Sequence, residues 1–199
     1  MKASGYARAA NDYYREPPWV VHGLLDVEEF PGLNLDPACG SGTIPRAFLA
    51  RGLECLGSEK MHRGFGRQGV SFFDYTPDVD NIVSNPPYGV IEQFIGHALQ
   101  CARSKVAILA RLALLEGAAR QPFLKNTPLA RVWVSSRRVS MPPGDSQIEA
   151  KGGTVAFAWF VWERGWVGPA TVGWLPLNPT RAAHVSEPEP ALSMEDMLS

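Results

Sequence analysis

The chain has 199 residues, a net charge of −1 and an apolar fraction of 45%, ordinary for a globular protein. That length suits one domain with a substantial core, and the overall charge does not announce a nucleic-acid binder. No stretch is long and apolar enough to span a bilayer, and no basic segment followed by an apolar one opens the chain as a secretory signal would. Three widely spaced cysteines, Cys39, Cys55 and Cys101, form neither a disulfide framework nor a zinc pattern, as suits a reducing cytoplasm.

Strand and helix signals then alternate along the chain. Tyr13-Tyr14-Arg15-Glu16-Pro17-Pro18-Trp19 leads into a predicted helix over 18–30. A short apolar strand over 33–36 runs into a glycine-rich turn and a helix over 43–51, with Ala47, Phe48 and Leu49 as apolar anchors. Strands follow over 53–58, 70–73, 81–84 and 105–111, with helices over 89–103 and 113–124. Two later β-rich runs span 130–139 and 154–163. The second is dense in aromatics (Phe157, Trp159, Phe160, Trp162), as a packed core strand is. Between them residues 140–153, with Pro142, Pro143, Gly144, Gly152 and Gly153, read as a loop. This alternation predicts an α/β domain over 1–177, with helices on both faces of a sheet. A Pro- and Glu-rich tail over 178–199 is expected to be disordered.

Two segments carry chemistry. Asp36-Pro37-Ala38-Cys39-Gly40-Ser41-Gly42 follows the first strand. Gly40 and Gly42 let backbone approach a ligand with no Cβ in the way, and the next helix start offers free N–H groups. Asp36, at the strand end, can attract a cationic amine. Asn85-Pro86-Pro87-Tyr88 follows the strand over 81–84. Its prolines fix φ and lack N–H groups, so the carbonyls around them project out of the sheet. The Asn85 side-chain oxygen and the Pro86 carbonyl can both accept from one planar –NH2 group, and Tyr88 can stack on the ring that bears it. A plain turn is the other reading of such a tetrapeptide. The match to G-x-G-x-x-G at residues 64–69 has a charged stretch before it and a β-rich run after it. A dinucleotide turn needs the reverse order, so this segment reads as a flexible loop.

Taken as a pair, the two loops resemble those of the S-adenosylmethionine-dependent amino-methyltransferases, most of all the N6-adenine DNA methyltransferases of the restriction-modification and phage kind. The resemblance covers roughly residues 13–175 in order and spacing. It implies a Rossmann-like, seven-stranded class I methyltransferase sheet, closed by an antiparallel hairpin of the last two β-rich runs. It implies S-adenosyl-L-methionine as cofactor and transfer of its methyl group to adenine N6 by Asn85, Pro86, Pro87 and Tyr88. The cofactor would lie along Ala38, Gly40 and Gly42, with Asp36 and Asn85 near its reacting end. Its ribose would rest on Glu59, beside Lys60, and its adenine near Asp74. Glu59 as a surface acid and Asp74 as a turn cap with Pro77 are the alternatives. Tyr14 and Pro17 would neighbour the cofactor. Glu16 stands where family members often have Thr, a departure, since a carboxylate there would repel the cofactor's own carboxylate.

Residues 103–138 hold eight basic residues (Arg103, Lys105, Arg111, Arg120, Lys125, Arg131, Arg137, Arg138) against one acid, Glu116. Such a band either neutralises phosphates or is a solvated face. The histidines His22, His62, His97 and His184 lack metal-ligand spacing, so no metal is expected. Only ten residues separate Asp74 from Asn85, which leaves no room for a target-recognition domain between the loops. Recognition is then expected from the 140–153 loop, the N-terminal segment, a second copy or a partner subunit. DNA is the expected partner. An RNA base amino-methyltransferase, a protein glutamine N5-methyltransferase and a catalytically silent cofactor-binding subunit are the competing readings.

Overall fold

The computed structural model of the chain describes residues 12–144, 153 and 155–180. Eight strands are present: β1 (Asn34–Asp36), β2 (Cys55–Glu59), β3 (Arg67–Gln68), β4 (Val79–Ser84), β5 (Ala102–Arg111), β6 (Leu129–Val134), β7 (Phe157–Glu163) and β8 (Thr171–Trp174). They form one sheet in the order β3-β2-β1-β4-β5-β7-β6-β8. The first five are parallel, and β7 inserts antiparallel between β5 and β6. The two later β-rich runs pair antiparallel as β6 and β7. Among the described residues the sheet has eight strands, not seven, with β8 added to β6 in parallel.

The helices are α1 (Pro18–Leu25), α2 (Thr43–Leu49), α3 (Ile91–Cys101) and α4 (Gln121–Lys125). Two cores lie on opposite faces of the sheet. Phe94, Ile95 and Ala98 of α3 pack with Ile82, Val106, Ile108, Phe160 and Trp162. Val20, Val21 and Leu24 of α1 and Ile44 and Phe48 of α2 pack with Val83, Ala107, Leu109, Trp159 and Val161. Successive residues of β5 and β7 alternate between these cores, as strand geometry requires. The aromatic run is core, with Trp159 Nε1 donating to Val20 O and Trp162 Nε1 to Thr127 Oγ1, both at 2.9 Å. Among the described residues, no helix is long and apolar enough to cross a membrane.

Several predicted elements differ from the structure for local reasons. The first helix ends at Leu25, not 30, because Glu28 turns inward to pair with Lys105 and Arg131. The expected helix over 113–124 breaks at Gly117 (φ +104) into a 3-10 turn, Leu112–Leu115, and α4, whose first turn holds Pro122. The expected strand over 70–73 is instead a 3-10 turn, Phe72–Asp74, capped by the Ser71 hydroxyl. There Phe72 buries against Phe94 and His97, with ring centroids 4.7 and 4.6 Å away. The strand β3 lies within the glycine motif of residues 64–69, so that segment is hydrogen-bonded structure and not a free loop. Beyond residue 177, Thr180 N donates to Asp26 Oδ2 at 2.7 Å and Thr180 O accepts from Arg51 at 2.8 Å. The rest of the expected tail, 181–199, lies outside the described residues.

The strand order reverses between β1 and β4, the topological switch point of an open parallel sheet, and ligands bind outside the carboxyl ends of the strands there. At the amino ends of these two strands, buried Asn81 donates to Asn34 Oδ1 at 3.0 Å and ties them together. Their carboxyl ends carry Asp36 and Ser84-Asn85.

Candidate active site

Asp36 and Ser84 close the gap between β1 and β4. Ser84 Oγ donates to Asp36 Oδ1 at 2.7 Å, and the Ala38 amide donates to the same oxygen at 3.1 Å. Asp36 is buried, and burial pushes its carboxyl well above the usual carboxylate range, with Glu16 and Glu59 nearby raising it further.

Asn85 follows directly. Its Nδ2 donates to the Tyr14 carbonyl at 2.8 Å and to Glu16 Oε2 at 2.9 Å. Glu16 is 7% exposed, and burial raises its pKa from 4.5 to about 7 against the pull of its hydrogen bond with Asn85. Among the described residues, no hydrogen bond uses Asn85 Oδ1 or Pro86 O, whereas Pro87 O accepts from Val90 N at 3.3 Å. Tyr88 starts a 3-10 turn, Tyr88–Val90, stacks on Tyr14 with centroids 5.7 Å apart, and donates to Met141 Sδ at 3.2 Å. The Arg111 guanidinium lies 4.8 Å from the centre of the Tyr88 ring. Burial pushes the Tyr88 hydroxyl up.

The glycine turn is a floor on which rings rest. Gly40 (φ +54) and Gly42 (φ +88) are left-handed, and a Cβ on either would fall 2.5 Å from the Tyr13 ring or 2.4 Å from the Phe65 ring. Tyr13 OH accepts from the Ser41 amide at 3.2 Å. Glu59 Oε2 accepts from the Gly40 amide at 2.9 Å, and Oε1 accepts from Met61 N at 3.0 Å and from Arg63 at 2.8 Å. Arg63 in turn sits 3.9 Å over the Tyr13 ring. The acid expected to meet a ribose is thus bound to the glycine turn and to an arginine four residues on.

Among the expected residues, the fold brings Tyr14, Asp36, Gly40, Gly42, Glu59, Asn85 and Tyr88 to the carboxyl edge of the strands. Pro17 precedes α1, and Ala38 is half-buried after β1. Lys60 and Asp74 are exposed, and the Asp74 carboxylate has no hydrogen bond or ion pair among the described residues. Tyr13, Thr43, Arg63, Phe65 and Ser84 were not singled out from the sequence. Ser84, next to the Asn-Pro-Pro-Tyr run, was the one with a readable signal. The rest meet the site only through the fold.

Half of the basic band, four of its eight residues, is paired with acids within the domain. Arg103 pairs with Asp78 and Asp80, Lys105 and Arg131 with Glu28, Arg131 also with Glu163, and Arg120 with Glu92. Arg111, Lys125, Arg137 and Arg138 are exposed and outside these pairs. Arg137 lies 4.4 Å over the Trp19 ring. Most of the 140–153 loop, 145–152, lies outside the described residues.

The sheet order and the two loops at its switch point define a Rossmann-like fold with an antiparallel closing strand. Solved structures agree. The chain superposes on a modification subunit of a putative type I restriction enzyme from Vibrio vulnificus with a TM-score of 0.57 and 13% identity over 85% of its length. It superposes on a putative RNA methyltransferase from Pyrococcus horikoshii with a TM-score of 0.53 and 14% identity, covering 73% of this chain and 81% of that one. A predicted O-methyltransferase from Agrobacterium tumefaciens gives 0.52 and 13%, over 79% of this chain and 84% of that one. The chain spans 48% of the Vibrio subunit's length. No protein-family model matches the sequence, and no curated protein sequence matches it.

Proposed function

We propose that the protein is an S-adenosyl-L-methionine-dependent methyltransferase acting on the exocyclic N6 amino group of adenine in DNA. The observation that carries this reading is the pair of free acceptors on one loop: Asn85 Oδ1 and Pro86 O have no donor among the described residues, while the neighbouring Asn85 Nδ2 and Pro87 O are engaged. An –NH2 group on a planar ring has two hydrogens to give to two such acceptors. Accepting both turns the nitrogen lone pair out of conjugation with the ring. Tyr88 supplies a stacking surface, and a base reaching it would replace the Arg111 guanidinium now lying there.

The residues fit the cofactor. Asp36, Glu16 and Glu59 surround a glycine-floored cleft that already takes two aromatic rings, a setting for a ligand with a cation and a purine. When bound, S-adenosyl-L-methionine supplies a methyl group activated on a sulfonium. Tyr14, Pro17, Ala38, Gly40 and Gly42 would line it. Asp36 would face its positive centres. Glu59 and Lys60 would meet its ribose, and Asp74 its adenine. Tyr13 and Arg63 would withdraw to admit it. The chain's own contribution is positioning, since the nitrogen needs no strong base before transfer. Target recognition would come from the 140–153 loop, a second copy or a partner subunit.

Asn85→Ala tests the reading. Methyl incorporation should be abolished while S-adenosyl-L-methionine still binds, and retained activity would sink the assignment.

A further inference from the structure

Asn85 reaches the site with its amide already oriented. Both hydrogens of Nδ2 are spoken for, by Tyr14 O at 2.8 Å and Glu16 Oε2 at 2.9 Å. Turning the amide over would bring Oδ1 against the Tyr14 carbonyl, which can only accept, and would take the Nδ2 donors away from both oxygens. Only Oδ1 can then face the target. Glu16 reaches this position from the N-terminal segment, 69 positions before Asn85. One buried carboxyl therefore joins the N-terminal segment to the catalytic loop.

We infer that Glu16 is a positioning residue for methyl transfer: it locks the Asn85 side-chain amide so that Oδ1 is presented to the target amino group. The inference rests on the proposed function for what Oδ1 does, but not for the lock itself. A purely structural role does not explain the choice of residue. A buried carboxyl in no ion pair among the described residues is a costly way to fill space, and an apolar side chain would fill it better. What a carboxyl provides here, and an apolar residue cannot, is an acceptor aimed at Asn85. The reading also accounts for an acid at a position where a cofactor contact was expected, because its oxygen is turned to the catalytic loop.

The test uses the full chain with three sequences: wild type, Glu16→Leu, which keeps the volume and loses the acceptor, and Glu16→Gln, which keeps an acceptor oxygen. Two readouts are taken. One is the hydrogen-exchange rate of the Asn85 side-chain amide by 15N NMR, which needs no catalysis. The other is kcat, KM and the S-adenosyl-L-methionine dissociation constant, with an adenine-containing DNA duplex as acceptor. In Glu16→Leu the amide should exchange at least about ten-fold faster, and kcat should fall roughly 10- to 100-fold, more than any change in the S-adenosyl-L-methionine dissociation constant. Glu16→Gln should recover most of both. Should Glu16→Leu not fold, Glu16→Met gives the same comparison. Unchanged amide exchange in the apolar variant overturns the lock, as does Glu16→Gln behaving like Glu16→Leu. If exchange responds as expected but wild type methylates no DNA, the lock stands and the proposed function fails.

Discussion

Replacing Glu16 by glutamine should change how stability depends on pH. The Glu16 pKa rises from 4.5 to about 7 in the folded protein, chiefly through burial, with the neighbouring Asn85, Thr43 and Arg15 pulling it back only in part. A carboxyl raised in this way stays protonated on folding while the unfolded chain releases its proton. Its contribution is fully present below pH 4.5. It is lost progressively as pH rises through the window between 4.5 and about 7, and is constant above that. A difference of this size corresponds to about 3 kcal/mol of stability lost across the window. The glutamine side chain does not titrate, so the Glu16→Gln variant lacks this slope. Asp36 is also raised, but it is present in both proteins and largely cancels in the comparison. Urea unfolding at pH 4.5 and pH 8 measures the effect. Wild type should lose about 3 kcal/mol more than Glu16→Gln between those values. Parallel losses in the two proteins would refute the account of Glu16 as a buried, protonatable group against Asn85.

Three further outcomes follow from contacts around the cleft. Arg63→Ala releases Glu59 from its ion pair and uncovers Tyr13, so S-adenosyl-L-methionine should bind several-fold tighter by calorimetry; weaker binding would show that Arg63 holds the cofactor instead of guarding its place. Gly40→Ala forces a Cβ into the left-handed region and to 2.5 Å from the Tyr13 ring, so the protein should lose about 1–2 kcal/mol in urea unfolding and bind cofactor at least ten-fold more weakly. Ser84→Ala removes the hydroxyl that donates to buried Asp36, and should cost about 1–3 kcal/mol in thermal unfolding. An unchanged midpoint would mean that the bond holds nothing in place.

The parallel strands and both loops were readable because each is local: a few apolar residues, a glycine turn and a proline pair announce themselves within a dozen positions. The aromatic run of β7 was readable as core for the same reason. What could not be read depended on long-range partners. Half of the basic band looked free because the acids that pair with it, Glu28, Asp78, Asp80, Glu92 and Glu163, lie outside the window that was counted. Glu16 looked misplaced beside a cofactor carboxylate, yet its oxygen meets Asn85, 69 positions away. Glu59 was marked as an acid for a ribose; its ion pair with Arg63 falls inside a charged stretch that gives no sign of which residues pair. The 3-10 turn at Phe72–Asp74 replaced a strand because an aromatic cluster with Phe94 and His97 outweighs the strand propensity of two phenylalanines.

The central claim is amino-group methylation of adenine in DNA, and one measurement tests it most directly. The protein is incubated with methyl-labelled S-adenosyl-L-methionine and separate pools of unmethylated DNA, RNA and protein, and the products are digested and identified by mass spectrometry. The account predicts label in DNA, carried as N6-methyldeoxyadenosine and absent with Asn85→Ala. Label confined to RNA or to glutamine side chains, or no label in any pool despite cofactor binding, would contradict it.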